Sequence, residues 1–597
     1  MGARHAVSLR FYIVSSISRN QLAAVLRLWY AVAMFALGGR CSSLLTRTWF
    51  PPVVAGIVFH LPALFCAFVY DDVSLVSEHP RLGSASFLSE IWQRDYGQEF
   101  VGENRGFYRP VFMTLVFLLR NLFGPSPFVF HLFSLAVFCL AIVLVVRVAS
   151  AFDTRGTRIL PLVAGVLYAV HPVRAETVSL VMSLPDLIVE CCALGLVLVL
   201  ANLVRVRPVT DTVGVTPAWR GMAVCGLLAL AASLTKESSF FVVPAVVGTA
   251  IVFALLSGAW ERKRLLPAAV MALAALAIGL LLRNLAQVHT SVPLSGTVKA
   301  LLLGGRAPDT LRSLLLAARD IVIPGPVVFW RNVEGTHLPG AAVALVLLGA
   351  AVAGGWIQSL RRRHLPLALL VAWFGANLAS LVILFGSGFI YSHRYLAFAP
   401  IAILLCLAVR AADGMVRRRT PAGVPLPATW RLGVLVTAMY VTAHGAFTLA
   451  GSTACLTELS FFTAMQRANP HDVVPVGAVA QTLNKGGAAE DVEQCVRYAA
   501  SLDATHPQVP RLQNMLIQRY LADGRYTDAL RCAQWSVGMY SNDVDKVVLR
   551  AVALANLGQT NAARQDVEGV LARQPGHAGA KELRDQIVRR AGTGSGQ

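Results

Sequence analysis

Two adjacent carboxylates, Asp71 and Asp72 in Tyr70-Asp71-Asp72, follow directly on an apolar run. A carboxylate pair at the exit of an apolar segment is costly if it faces lipid, so it must face water or a protein cavity. There a carboxylate can take the proton of an attacking hydroxyl. Cations recur in other segments that carry little positive charge, as Arg109 in Tyr108-Arg109-Pro110, Arg174, Lys236 and Arg394. Singly, each reads as a long side chain snorkelling to a membrane surface. Together, with carboxylates nearby, they suit a lipid-linked phosphate, whose oxygens guanidinium and ammonium groups bind. No His/Cys cluster has the spacing of a zinc site.

The elements that must hold these residues are membrane helices. The chain has 597 residues, 56% hydrophobic and 14% charged, with a mean hydropathy of +0.61. A soluble protein would carry roughly 25% charged residues. Apolar runs of about 20 residues, the length that crosses a bilayer, extend from Phe50 to Ala450 and then thin out. The expected spans are 50–69, 127–146, 159–171, 184–204, 221–235, 239–257, 265–283, 339–357, 365–386, 395–409 and 430–450, about eleven in all. Segment 20–39 is a weaker candidate, of interfacial type, and no cleavable signal peptide is evident near it.

Net charge is +20, but the cations lie in short clusters between apolar runs rather than on one face or tail. That distribution argues for membrane topology and against a nucleic-acid partner. Arg147, Arg155 and Arg158, then Arg205, Arg207 and Arg220, then Arg262–Arg264, Arg361–Arg363 and Arg417–Arg419 occupy every second loop. By the positive-inside rule those loops are cytoplasmic. The N-terminal segment, 1–49, is then cytoplasmic or interfacial, and the C-terminal domain lies on the outer side. Arg greatly outnumbers Lys, and Ala and Val are abundant, as in GC-rich genomes. This places the chain in a bacterial inner membrane with its C-terminal domain in the periplasm. The alternative is the endoplasmic reticulum, with that domain luminal. Ten cysteines make no disulfide framework, because most lie inside apolar runs.

Two outer loops are long, 70–126 and 284–338. Segment 107–123 in the first reads as an amphipathic helix lying on the membrane, and 310–323 in the second is apolar. A linker at 451–471 leads into a soluble helical tail at 472–597. There Gly524 and Gly558 lie 34 residues apart, as do Ala529 and Ala563, and Pro575 follows twelve residues after Ala563. That period is similar to the tetratricopeptide repeat. Two to three units are expected, a degenerate one at 476–506 among them, ahead of a disordered end. Such a solenoid offers a concave face to an extended peptide. The fold expected is all-α, a polytopic bundle with a repeat domain.

The ordered segments "FVYDD", "YRPVFMTLVFLLRNLFG" and "FHLFSLAVFCLAIVLVV" resemble the start of the O-mannosyltransferases that join a membrane bundle to tetratricopeptide repeats. These belong to the C-type glycosyltransferase superfamily. "LYAVHPVRAETVSLVMSLPD" is similar to that family's second outer loop, with His171, Pro172, Glu176 and Asp186 matching. "LAASLTKESS" resembles its Ser-Lys-Glu segment, through Ser233, Lys236 and Glu237. "IYSHRYLAFAP" is similar to its Glu-Arg-Tyr-Leu-Tyr-Leu-Pro element, through Arg394, Tyr395 and Pro400. The likeness covers about 50–450, and the repeat tail agrees with it. Leu184 stands where the family usually has Arg, His393 where it often has Glu, and the tail is short beside animal members. These departures bear on donor sugar and acceptor more than on fold.

The resemblance implies transfer of a hexose, mannose above all, from a polyprenyl-phosphate donor to a protein Ser/Thr hydroxyl or a glycan on the outer face. Asp71 is the favoured base, with Asp72 orienting the acceptor or its partner, and the reverse assignment stays open. The leaving phosphate needs cations, for which Arg394, Lys236, Arg109 and His171 are candidates in that order. Glu176, Asp186, Glu237 and Tyr395 support them. One base and a phosphate leaving group imply a single, inverting displacement. Some superfamily members hold a divalent metal between their acidic residues. A non-catalytic scaffold that recruits partners through its repeats is the alternative function. A transporter would place ionisable residues mid-span.

Overall fold

The computed structural model describes residues 47–95, 106–153, 156, 158–205, 218–288, 305–329, 331–333, 338–387, 391–396, 398–419 and 427–593. The expected interfacial segment 20–39 lies outside them. Among the described residues the structure is helical, apart from one isolated antiparallel bridge between Arg331 and Tyr391. The chain divides into two compact units, one ending at Thr457 and the other holding Glu458–Gln597.

The first unit contains α1 (Phe50–His60), α2 (Pro110–Phe123), α3 (Pro127–Ser150), α4 (Ile159–Val170), α5 (Val173–Ser179), α6 (Leu184–Arg205), α7 (Ala218–Ser233), α8 (Ser239–Leu256), α9 (Ala259–Leu285), α10 (Ala307–Val322), α11 (Ala341–Arg361), α12 (Leu365–Gly386), α13 (Phe398–Arg419) and α14 (Pro427–Ala454). Proline opens α2 and α3, where its missing N–H would be unpaired in any case. Six helices are long and apolar enough to cross a membrane: α3, 181–204 around α6, α8, α9, α11 and α12. They coincide with six of the expected spans. The chain is thus a multi-pass membrane protein. Expected spans 50–69, 221–235 and 395–409 fall on shorter apolar helices.

The expected span 159–171 differs in form. The helix stops at Val170, and the chain bends 63° into α5. Pro172 cannot continue α4, and the residue before a proline is driven extended, as His171 is at φ −75°, ψ 131°. All seven residues of α5 are buried, so what reads as an open outer loop is a helix folded back into protein.

A polar staple holds this bend. Arg174 on α5 and Glu190 on α6 are 2% and 3% exposed and meet at 2.8 Å. The Tyr168 hydroxyl donates to the same carboxylate oxygen at 2.6 Å, and Ala399 N–H reaches the other at 2.8 Å. Arg174 also donates to the Leu396 carbonyl at 2.6 Å. The network ties α4, α5, α6 and the start of α13 inside an apolar core.

The second unit runs α15 (Glu458–Ala468), α16 (Val473–Asn484), α17 (Ala489–Leu502), α18 (Gln508–Ala522), α19 (Tyr526–Met539), α20 (Val544–Asn556), α21 (Thr560–Arg573) and α22 (Ala578–Thr593). α16 with α17, α18 with α19 and α20 with α21 form successive hairpins. Gly524 and Gly558 turn the second and third at φ +71° and +76°, a conformation that L side chains resist. Ala529 and Ala563 begin the matching second helices and are fully buried. The 34-residue spacing is therefore a spacing of equivalent turns and helix contacts.

Two substitutions test these supports by unfolding of the purified chain. Glu190→Ala leaves Arg174 buried without a counter-charge and should destabilise the first unit by about 3–5 kcal/mol. Gly558→Ala meets no atom within 4 Å, so its cost is conformational alone, about 1–2 kcal/mol in the second unit.

Candidate functional site

Asp71 and Asp72 stand at the helix ends opposite the arginine-rich loops, and the fold separates their roles. Asp72 is fully buried and its two carboxylate oxygens accept the N–H groups of Val181 and Met182, each at 2.8 Å. It caps the turn that starts the Val181–Val204 helix. Burial pushes its carboxyl up to about 7, against the pull of those two donors. Asp71 is half-buried, and among the described residues its carboxylate has no hydrogen-bond partner in the protein. Burial raises its pKa, while Arg394 and then Arg109 draw it back. Tyr70, just before the pair, sits in the left-handed region at φ +56°. Strain of this kind persists only where surrounding contacts impose it.

Each of three expected cations meets a carboxylate of its own. Lys236, on the turn between α7 and α8, lies 2.5 Å from both oxygens of Asp186 at the start of α6. Arg109, at the head of α2, donates twice to Glu237, from Nε at 3.1 Å and Nη2 at 2.8 Å. Glu237 also accepts the Tyr108 N–H at 3.1 Å. The loop before α2 is held by Asp95, which accepts Gly106 N–H at 2.6 Å, and by Arg283, which donates to the Gly106 carbonyl at 2.8 Å. Arg394, between α12 and α13, gives its N–H to Glu176 at 3.0 Å, and its Nε stands 3.9 Å from the other oxygen. Ser392 donates to Glu176 at 2.6 Å. The Arg394 guanidinium reaches Met182 Sδ at 3.0 Å and the Tyr395 hydroxyl at 3.1 Å.

The three pairs share one neighbourhood. Burial lowers the pKa of Lys236, Asp186 opposes that, and Arg109 and Arg394 lower it further. Asp71 senses two of the same cations. Asp71 and Lys236 are therefore both within electrostatic reach of Arg109 and Arg394, and Glu176, Asp186, Glu237 and Tyr395 hold the cations in place.

His171 does not belong to this group. Its Nδ1 accepts the Val173 N–H at 3.3 Å, so its Nε2 donates to the Ile321 carbonyl at 3.0 Å. Its ring packs 4.1 Å from Phe398 and 4.6 Å from His444. The break at Pro172 strands backbone groups, and His171 satisfies two of them from its ring nitrogens. Asp72 likewise has both carboxylate oxygens on backbone N–H groups.

Sequence reading missed the residues that fix the Arg394 loop. His393 donates from Nε2 to Asp320 on α10 at 3.1 Å, and the Tyr391 hydroxyl reaches the same oxygen at 2.9 Å. His393 Nδ1 accepts the Val328 N–H at 3.3 Å. These partners lie far apart in the chain, and Asp320 inside an amphipathic helix carries no local signal. A divalent metal is a poor fit to the site. Four of its five acidic residues are taken by cations or N–H groups, and no group of three metal-ligating side chains occurs among the described residues.

No family model matches the chain. It is 30% identical over 218 residues to the Drosophila melanogaster protein O-mannosyl-transferase Tmtc2, a match covering 35% of this chain and 22% of that protein. It is 28% identical over 185 residues to the human protein O-mannosyl-transferase TMTC3, covering 30% and 19%. The matched segments thus span about a fifth of the length of these relatives. Among solved structures, the Archaeoglobus fulgidus oligosaccharyltransferase AglB, bound to an inhibitory peptide and a dolichol-phosphate, aligns with 68% of this chain and 56% of its own. That alignment has 16% identity and a TM-score of 0.34. The resemblance read from the ordered motifs is borne out in sequence: the relatives of this chain are protein O-mannosyl-transferases.

Proposed function

We propose that the chain is an integral membrane glycosyltransferase that moves a hexose, mannose by its relatives, from a polyprenyl-phosphate donor to a protein Ser/Thr hydroxyl or a glycan. The observation that carries this reading is the Asp71 carboxylate, without a hydrogen bond of its own among the described residues and in the field of the anchored Arg394 and Arg109. A phosphate among Arg394, Lys236 and Arg109 would place the anomeric carbon next to Asp71. The acceptor hydroxyl attacks that carbon and gives its proton to Asp71. The bond from carbon to phosphate oxygen breaks, the phosphate keeps the electron pair, and the cations stabilise its new charge. One displacement inverts the centre, and no second carboxylate is needed as acid.

Residues 50–450 are then the transferase bundle, with about eleven spans and the site on the outer face. Residues 472–597 are its tetratricopeptide repeats, which would hold the acceptor polypeptide. A bacterial inner membrane with the repeats in the periplasm fits the positive-inside pattern, and an endoplasmic reticulum membrane is the eukaryotic equivalent.

The test is transfer of radiolabelled mannose from a polyprenyl phosphate to a periplasmic or luminal protein extract by the purified chain in liposomes. Asp71→Asn should lower the rate by about 10²- to 10⁴-fold while melting like wild type. Asp72→Asn should instead show as lost stability, about 1–3 kcal/mol, because it disturbs a buried acceptor of two N–H groups. Activity unchanged in Asp71→Asn, with wild type active, would remove the base assignment. No transfer by folded wild type from any lipid-linked sugar would remove the transferase reading.

A pH profile gives a second check. Burial holds the Asp71 carboxyl above its ordinary value, with Arg394 and Arg109 opposing. A base acts only when deprotonated, so activity should fall on acidification through a pKa above the ordinary carboxylate value of about 3.9. Arg109→Gln removes one opposing charge and should move that limb to higher pH.

A further inference from the structure

As sequence, Arg361–Arg363 mark topology. The structure gives two of them a second setting. A cavity of about 410 Å³ lies between the C-terminal turns of α8 and α11, lined by Val252, Phe253, Leu256, Ile357 and Leu360 and by Arg361 and Arg363. Its size falls in the range of roughly 300–1,000 Å³ typical of small-molecule sites. Two apolar lining residues, Leu256 and Ile357, are 60% and 43% exposed, so in a bilayer this cavity opens to lipid.

Several polar groups around it are already satisfied. Arg262 donates to the Ala254 and Leu255 carbonyls at the end of α8, at 3.3 and 3.0 Å. α11 ends in a paired reverse-bonded cap, His364 N–H to the Ser359 carbonyl at 3.0 Å and Arg363 N–H to that of Leu360 at 2.9 Å. The Trp356 indole N–H is bound by Thr249 at 3.0 Å. The side chains of Arg361 and Arg363 make no ion pair or hydrogen bond with another described residue. Arg363 is moreover in the left-handed region, at φ +53°. Glycine is usual at this cap position, and an arginine held there against its backbone preference points to work for its side chain.

We propose that this cavity binds an anionic phospholipid of the surrounding bilayer. One acyl chain lies along the apolar wall, and the phosphate lies on Arg361 and Arg363. The ligand class follows from the combination: an apolar trough open to lipid, ending in two guanidiniums that lack a counter-charge at the depth of the headgroups. The site is on the arginine-rich side of the bundle, at the other end from Asp71, and does not depend on the transferase reading.

The experiment is thermal unfolding of the full-length protein in neutral detergent, titrated with dioleoyl phosphatidylglycerol, dioleoyl phosphatidylcholine or inorganic phosphate. Phosphatidylglycerol should raise the melting temperature saturably, and the other two should not. Arg361→Gln and Arg363→Gln should each weaken the apparent affinity roughly fivefold. Arg363→Gly separates a structural role from a binding one. Relieved of backbone strain, it should melt no lower than wild type without lipid, yet lose affinity like Arg363→Gln. Equal shifts with phosphatidylcholine or inorganic phosphate, or undiminished affinity in the double glutamine variant, would overturn the proposal.

Discussion

Arg174, Arg394, Lys236 and Arg109 all end inside protein, and a buried cation without a partner costs several kcal/mol. Each is met by a carboxylate from another part of the chain: Glu190, Glu176, Asp186 and Glu237. That constraint organises one end of the bundle. Arg174 with Glu190 fixes the bend that turns α5 inward, and the bend carries Glu176 to the Arg394 loop. Lys236 with Asp186 joins the α7–α8 turn to α6, and Arg109 with Glu237 docks α2 on the same turn. The cations can therefore present fixed charge without a ligand to order them, which is the preorganisation that phosphate chemistry exploits.

Much of this was legible because membrane topology makes a cation conspicuous. Arg109, Lys236 and Arg394 stand where the positive-inside rule leaves few cations, so their presence needed a reason that sequence alone could name. Asp71 and Asp72 were legible as a pair but not as two different things. What distinguishes them is the backbone of Val181 and Met182, more than a hundred residues away. The contacts of His171 were hidden for a related reason. A histidine at a helix break reads as chemistry when its neighbours are unknown, yet a proline there leaves donors and acceptors that an imidazole can serve from both nitrogens. Asp320 was invisible, since its partners His393 and Tyr391 are set by the fold of α10 against the 391–396 loop.

In the fold, the long apolar runs were readable by length, and the repeat turns by the recurrence of Gly524 and Gly558. The departures came where length misleads. Segment 159–171 is apolar enough to be a span, but Pro172 converts its end into a buried corner, and apolarity cannot say whether a short helix faces lipid or protein. The two charged faces of the bundle also differ in a way that composition hides. On one, arginine and lysine are paired with carboxylates and held. On the other, Arg361 and Arg363 are left to whatever anion the bilayer offers.

Pairing at the Asp71 end has a further consequence if the donor phosphate binds as proposed. Three carboxylates already offset Arg394, Lys236 and Arg109, so an arriving phosphate adds negative charge to a site that is close to balanced. Asp71 has no hydrogen bond of its own to stabilise its anion, and its ionisation leans on the Arg394 and Arg109 charges that the phosphate would share. Donor binding must then raise the proton affinity of Asp71. The carboxylate becomes a stronger base only once the leaving group is in place. Without donor it is a weaker base beside the paired cations. Base strength and leaving group would thus arrive together, a consequence of leaving one carboxylate out of the pairing that holds the others.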